Sequence, residues 1–222
     1  GNTFDSGSLQ GMRINPTVNA KVRYLVSTGD WFSSNDSHGI QITGAGVIED
    51  IRIIGAKVFN NWTHGLALEA GANIYVLGST FSGNSRAANN TYSGISVGAN
   101  VSEFSLIGNR SGKTQSFTDI QKAGIEIAAG ASDVFSVQGN DHRNNLTAGL
   151  INGATGVTTQ VFGNLPQETN GALILPTLTF ATLLTSPNGT VVYCSDCTVT
   201  TTCAGAGTGA LAKRVNRAWV CN

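Results

Sequence analysis

Gly39-Ile-Gln-Ile42 shows the pattern from which the architecture follows: one glycine and then alternating apolar residues. The pattern recurs at intervals of 25 to 30 residues. Its copies are Gly11-Met-Arg-Ile14, Gly65-Leu-Ala-Leu68, Gly94-Ile-Ser-Val97, Gly124-Ile-Glu-Ile127 and a degenerate Gly149-Leu150. Alternation inside a repeat of this length is typical of a parallel β-helix, in which each repeat forms one coil.

Two further elements recur between these glycines. A second strand that ends in glycine follows, as in Ile51-Arg-Ile-Ile-Gly55 and Ile74-Tyr-Val-Leu-Gly78, and a third short element comes after it. Each coil therefore contains three short strands, and equivalent positions should stack in files along the helix axis. Two inward files are predicted: Ile14, Ile42, Leu68, Val97 and Ile127 in one, and Phe4, Phe32, Val58 and Phe81 in the other.

The predicted fold is all-β: a right-handed, single-stranded parallel β-helix of about six coils, followed by a small C-terminal β module. The β-helix spans 1–165, residues 166–171 form a linker, and 172–222 form a cap or trimerisation module. Gly1-Asn-Thr-Phe4 aligns with the last element of a coil, so we expect the helix to be truncated at its N-terminus. Leucine-rich repeats have a similar period, but their Leu-x-x-Leu-x-Leu frame is missing.

Composition excludes several classes of function. Charged residues make up 12% of the chain, with 13 basic and 13 acidic side chains. This balance argues against nucleic-acid binding, which needs a basic surface. The sequence has no run of 18 apolar residues, so membrane insertion is not predicted. With 28 glycines and so few charges, the surface should consist largely of Asn, Ser, Thr and Gly, and such a surface suits sugar hydroxyls.

One group of outward positions stands out as a candidate saccharide site. The predicted glycan-binding residues are His38, Gln41, Trp62, His64 and Tyr92, which neighbouring coils should bring together. Rings offer faces for sugar stacking, and the polar groups offer hydrogen bonds. An ordinary polar ladder, or a contact between subunits, would produce the same pattern. Two histidines one coil apart also suggest a metal, but no third ligand has matching spacing.

Three carboxylates are candidates for glycoside hydrolysis: Asp36, Glu69 and Glu126. Glycosidases use two carboxyl groups about 5–5.5 Å or 6.5–9.5 Å apart. Strand and sheet spacings place Glu69 and Glu126 about 12 Å apart, too far for a simple pair. Asp36 and Glu69 lie on adjacent coils across a turn, so their separation is not predictable. The sequence leaves open whether the chain is an enzyme; if it is, we expect an endo-glycosidase.

All four cysteines lie near the end of the chain, at Cys194, Cys197, Cys203 and Cys221. Two disulfides could staple a module that is too small for its own core. Four thiolates could instead hold a structural zinc ion. Both interpretations stay open, and no other cofactor is predicted.

The repeats and the C-terminal segment resemble phage tailspike and tail-fibre proteins. The resemblance lies in the Gly-Ile/Leu repeats, in Ser186-Pro-Asn-Gly-Thr-Val-Val-Tyr-Cys-Ser-Asp196, in Gly209-Ala-Leu-Ala212 and in Asn216-Arg-Ala-Trp219. Arg217 stands where glycine is common in that family, and the cysteines also depart from its pattern. The resemblance implies a homotrimer on a virion tail, made in the bacterial cytoplasm, that binds and often cleaves capsule or O-antigen polysaccharide.

Two alternatives compete with the tailspike hypothesis. Secreted polysaccharide lyases and epimerases also use a β-helix, but they usually carry more charge around their cleft. A non-enzymatic adhesin or structural stalk would need neither a catalytic pair nor a cleft. Oligomeric state separates the first alternative from a tailspike, and release of reducing ends separates an enzyme from an adhesin.

Overall fold

The computed structural model describes residues 1–99, 101–112, 121–165, 177–185, 189–200 and 202–222. The chain forms two compact units, Gly1–Asn170 and Gly171–Asn222. The predicted linker 166–171 lies outside the described residues, as do positions 186–188 of the C-terminal motif. Within the described ranges, no helix has the length and apolarity needed to cross a membrane.

The first unit is a parallel β-helix of about six coils, which confirms the predicted fold class. One of its three sheets, here called sheet I, takes one strand from each coil. Its strands are β2 (Met12–Ile14), β6 (Ile40–Ile42), β9 (Leu66–Leu68), β12 (Ile95–Val97), β15 (Ala123–Gly130) and β17 (Ala148–Ala154). Every pair is parallel, and the register joins Ile14, Ile42, Leu68, Val97 and Ile127. Since these five side chains are at most 5% exposed, the first predicted file is confirmed.

Sheets II and III complete each coil. Sheet II comprises β3 (Lys21–Arg23), β4 (Val26–Thr28), β7 (Val47–Ile54), β10 (Ala72–Leu77), β13 (Phe104–Ile107), β16 (Phe135–Gln138) and β18 (Thr159–Phe162). Sheet III comprises β1 (Thr3–Asp5), β5 (Trp31–Ser33), β8 (Lys57–Phe59), β11 (Thr80–Ser82) and β14 (Arg110–Ser111). The second predicted file is in register in sheet III. Its first member, Phe4, is 38% exposed and stacks on buried Phe32.

Buried asparagines form two hydrogen-bonded ladders that the sequence analysis did not predict. In the first, the Asn35 side-chain amide donates to Asn61 Oδ1 at 2.9 Å, and Asn61 donates to Asn84 Oδ1 at 2.9 Å. The ladder continues through Gln121 and Asn145. The second joins Asn109, Asn140 and Asn164. The expectation that asparagine mainly covers the surface is therefore wrong for these side chains, which satisfy backbone groups at the turns.

The ladder explains why glycine opens each repeat. A Cβ atom at Gly39 would come within 2.7 Å of Asn61 Nδ2 and 2.8 Å of Gly65 O. At Gly65 it would come within 2.8 Å of Asn84 Nδ2 and 2.6 Å of Gly94 O. The backbone approaches the ladder and the next coil so closely that any larger residue would displace one of them.

The second unit is a small mixed sheet with its own core. Its elements are β19 (Thr177–Leu178), a 3₁₀-helix (Phe180–Thr185), β20 (Val191–Cys194), β21 (Ala210–Val215) and β22 (Ala218–Cys221). Strand β19 pairs parallel with β20, whereas β20, β21 and β22 are antiparallel. Asn216 and Arg217 form the turn between β21 and β22, both with positive φ. Glycine would adopt the backbone conformation of Arg217, with φ 65°, without strain.

Candidate functional site

The predicted saccharide residues gather where the chain enters sheet I. His38 and His64 each precede a repeat glycine, and the N–H of Gly39 donates to His64 O at 3.1 Å. One coil apart, their rings stack with centroids separated by 5.5 Å and planes inclined by 18°. The Tyr92 ring meets the His64 ring edge-on at 5.1 Å. These three rings form a continuous surface over three successive coils.

We call the surface around these rings the His–Glu patch. It comprises His38, Gln41, His64, Glu69, Tyr92, Ser93, Lys122 and Glu126. Six of these eight residues were predicted as glycan-binding or catalytic candidates, and the other two, Ser93 and Lys122, were not. Ser93 and Lys122 precede the strands β12 and β15. The register of these strands pairs Ser96 with Glu126, and it therefore brings Ser93 and Lys122 to neighbouring coils beside Glu126.

The main chain of Ser93 holds the His64 ring. His64 Nδ1 accepts a hydrogen bond from the Ser93 N–H at 2.9 Å and lies 3.3 Å from Ser93 O. Burial and, to a smaller extent, the neighbouring His38 lower the pKa of His64 to about 4, while the backbone of Ser93 and the charges of Glu126 and Glu69 act in the opposite direction. His64 is therefore neutral near pH 7.

His38 is also held by its neighbours. Thr63 Oγ1 lies 2.8 Å from His38 Nδ1. Burial lowers the pKa of His38, and the charge of Glu69 partly opposes this effect. The Gln41 side-chain amide in turn donates to Glu69 Oε2 at 3.2 Å. Glu69 thus interacts with two predicted glycan-binding residues, His38 and Gln41, of the preceding coil.

Glu126 is held in its ionised form. Lys122 Nζ lies 2.6 Å from Glu126 Oε1, and the Ser93 hydroxyl donates to Glu126 Oε2 at 2.7 Å. Burial acts to raise the pKa of Glu126, but the hydrogen bonds from Lys122 and Ser93 outweigh it, so the pKa is lowered. A carboxyl group in this state is a poor proton donor near neutral pH.

Trp62 offers the exposed ring beside the patch. It precedes His64 by two residues, is 41% exposed, and has the Arg86 guanidinium 5.4 Å from its ring centroid. Asp36 occupies the equivalent position one coil earlier and is exposed. Among the described residues, the carboxylate of Asp36 makes no hydrogen bond or ion pair with the patch. The structure brings Glu69 and Glu126 to the histidines, but not Asp36.

A separate cavity of about 410 Å³ lies on the outer face of sheet II. Its polar lining includes Asn73, Tyr75, Glu103, Ser105, Ser136 and Gln160. Tyr75, Ser105, Ser136 and Gln160 are in register on successive strands. These residues occupy ordinary outward positions without a motif, so no sequence pattern groups them.

The cysteines pair as two disulfides, Cys194–Cys197 and Cys203–Cys221. Of the two sequence interpretations, the disulfide form is the one present. Within the described part of the chain, groups of metal-binding side chains that converge are found around these cysteines and Asp196, not at the histidines.

Comparisons with known proteins place few limits on function. The chain matches no known family profile and no curated protein. Solved structures that resemble it include the A-modules of the Azotobacter vinelandii mannuronan C-5 epimerases AlgE6 and AlgE4, at 14% and 16% sequence identity. Each has a TM-score of 0.45, and the matches cover 72% and 70% of this chain. The chain spans 55% of the length of either module, and its own strand register is what establishes the fold described above.

Proposed function

We propose that the chain binds polysaccharide at the His–Glu patch. The observation that carries this proposal is the ring surface of His38, His64 and Tyr92, with the exposed Trp62 two residues before His64. Pyranose rings present apolar C–H faces that pack on aromatic rings, and hydroxyls that pair with convergent polar groups. The parallel coils hold these rings at a fixed spacing along one direction, as a linear polymer requires.

The polar groups of the patch match the hydroxyls of a sugar. Neutral His64 presents its Nε2, and the carboxylates of Glu69 and Glu126 accept. Lys122 offsets the charge of Glu126 at 2.6 Å, so the patch is close to neutral at that point. Neutral or weakly charged glycans therefore fit better than densely anionic ones.

The geometry favours binding over glycoside hydrolysis. A hydrolase of the two-carboxylate type needs one carboxyl group with a raised pKa to protonate the leaving oxygen. At Glu126 the pKa is lowered instead, because Lys122 and Ser93 stabilise the anion. Incubation with bacterial polysaccharides, followed by measurement of released reducing ends, tests this point. Release of ends by the chain would show that it cleaves glycan chains and would contradict binding alone.

The finer proposal is a phage tailspike-like receptor-binding protein that recognises bacterial capsule or O-antigen outside the host cell. Its support is the resemblance of the repeats and of the C-terminal segment to tail proteins. We expect a homotrimer, which light scattering would report as three times the 23.0 kDa chain mass. A stable monomer would favour the secreted lyase or epimerase alternative.

The decisive experiment compares two tryptophans of equal exposure. Trp62 and Trp31 are each 41% exposed and each lies beside a cation, Arg86 or Lys57, but Trp62 is two residues from His64 of the patch, whereas Trp31 lies in sheet III. We expect Trp62→Ala to weaken binding to the cognate polysaccharide at least about tenfold, which corresponds to about 1.4 kcal/mol. Trp31→Ala should bind normally. Equal affinity of wild type and Trp62→Ala would reject the proposed site.

A further inference from the structure

The four cysteine side chains lie together in the core of the second unit. The sulfur atoms of Cys197, Cys203 and Cys221 lie within 4.8 Å of one another, and that of Cys194 is bonded to that of Cys197. All four residues are at most 6% exposed. Two disulfides in a folded domain need not touch. Here they form a single buried cluster that contains every cysteine of the chain.

We propose that the reduced second unit binds one Zn²⁺ ion through the thiolates of Cys194, Cys197, Cys203 and Cys221. Zinc takes four thiolates at about 2.3 Å in a tetrahedron, which sets neighbouring sulfurs about 3.8 Å apart. The sulfurs already lie near this arrangement: each bonded pair must open, while Cys194 and Cys197 must approach Cys203 and Cys221. Two cysteines separated by two residues, with two more farther along, is a spacing typical of structural zinc sites.

Positions in the fold support the same ligand set. Cys194 ends β20 and Cys221 ends β22, on either side of β21 in the sheet. Cys197 and Cys203 lie on the connection between β20 and β21, which is tied to β22 because the Cys203 N–H donates to Trp219 O at 3.1 Å. The four ligands would therefore come from two strands and one anchored loop, all fixed by backbone hydrogen bonds.

The core of this unit explains what the ion would contribute. Its buried apolar cluster consists of Leu183, Val192, Cys194, Cys197, Cys203, Ala210, Ala212, Trp219 and Cys221. Four of these nine residues are cysteines and two are alanines, so little apolar surface remains once the sulfurs are set aside. A core this small needs a covalent or metal cross-link. Disulfides supply it in the oxidised protein, and zinc would supply it in the reduced protein.

The reaction has two balanced steps. A trialkylphosphine supplies two electrons to each disulfide, takes the oxygen of one water molecule, and leaves two thiols and one phosphine oxide. Zn²⁺ then replaces the proton of each thiol, so that four protons are released and a tetrathiolate complex of net charge −2 remains. Asp196 also lies within reach of Cys194 and Cys197, but its Oδ1 accepts a hydrogen bond from the Phe180 N–H at 2.6 Å. Four soft thiolates complete the shell without it.

The test uses the full wild-type chain under anaerobic conditions. Protein treated with a trialkylphosphine is mixed with zinc sulfate, desalted, and analysed for zinc by mass spectrometry; untreated protein is handled in parallel. We expect one zinc per chain after reduction and none without reduction. Cobalt(II) in place of zinc should give the intense visible bands and the thiolate charge-transfer absorption of a tetrahedral sulfur site. These measurements need no variant, and they do not depend on the proposed glycan site.

Three variants define the ligands. Cys197→Ser should lose the stoichiometric zinc, whereas Asp196→Asn should keep it. A His38→Ala/His64→Ala double variant should also keep it, which separates the cysteine cluster from the histidine pair. Reduced wild-type protein without bound zinc, or a cobalt spectrum of octahedral oxygen and nitrogen ligands, would overturn the proposal. Full zinc content in Cys197→Ser would overturn the ligand set.

Discussion

The buried His142 should make the β-helix sensitive to acid. Its side chain is 1% exposed, and its Nδ1 has no hydrogen-bond partner among the described residues. Asp141 pairs with Arg110 in an isolated parallel β-bridge, so the next residues, His142 and Ser111, are also neighbours. Because Ser111 pairs with Phe81, His142 lies in the inward file that begins at Phe4. Burial lowers the pKa of His142 from 6.5 to about 4, although Asp141 acts in the opposite direction.

The sign and size of the effect follow from linkage. Between pH 6.5 and pH 4 the unfolded chain binds a proton at this histidine and the folded chain does not, so the free energy of unfolding falls as the pH falls. Complete loss would amount to about 3 kcal/mol, since one pKa unit corresponds to about 1.4 kcal/mol. At pH 5 the two pKa values give a loss of about 2 kcal/mol relative to pH 7.5.

His142→Phe isolates this contribution, because Phe32 and Phe81 already occupy the same file in other coils. Urea unfolding of both proteins at pH 7.5 and pH 5 gives two differences in stability. We expect wild type to lose about 2 kcal/mol more than the variant between these pH values. Other titrating groups, including His64, contribute equally to both proteins and cancel. Parallel losses in the two proteins would refute the assignment of a buried, neutral His142.

Three further substitutions test the fold and its ladders. Asn61→Ala should lower the free energy of unfolding by about 3 kcal/mol or more, because Asn35, Phe32 and Asn84 each lose a buried hydrogen-bond partner. The control is Asn89→Ala at an exposed position. Equal melting temperatures of the two variants would contradict the ladder. Ile127→Asp should abolish folding, since an unpaired charge in the core costs several kcal/mol, and a normal circular-dichroism melt would show that the file is wrongly assigned. Val134→Asn should stabilise the chain by about 1 kcal/mol, because Val134 has φ 50°, which strains a β-branched residue more than asparagine. Asn73 takes this conformation at the equivalent position of another coil. A lower melting temperature of the variant would contradict this reasoning.

The fold was predictable because its signal repeats. Alternation and glycine spacing place Ile42, Leu68 and Val97 in one file, and strand pairing confirms each step. The asparagine ladders were not predictable in the same way. Their members are separated by 26, 23, 37 and 24 residues, because turns vary in length between coils. Gln121 replaces asparagine at one step, and a polar residue in a turn gives no sign in the sequence that it points inward.

The candidate site was predictable only where it follows the repeat. His38 and His64 hold the same position in successive coils, so their stacking could be expected. The contact of Tyr92 with His64 depends on the turn before β12, where the Tyr92 N–H donates to Ser85 Oγ at 3.0 Å. The partners of Glu126 depend on side-chain rotamers, which the spacing of residues does not specify. For the same reason, Asp36 was grouped with the patch by position although its carboxylate does not join it.

The ladder and the patch are two sides of the same turns, and this relation explains how the surface could hold a polymer. Asn61 and Asn84 bind the backbone on the inside of the turns, while Trp62, the residue after Asn61, is exposed on the outside and His64 follows two residues later. The turn is therefore fixed before any ligand arrives, and little conformational entropy is lost on binding. A loop of the same composition without the ladder would have to be ordered by the glycan, at a cost in affinity. Asn61→Ala should accordingly weaken glycan binding at a temperature where the variant is still folded, although Asn61 lies buried beneath the surface that the sugar would contact.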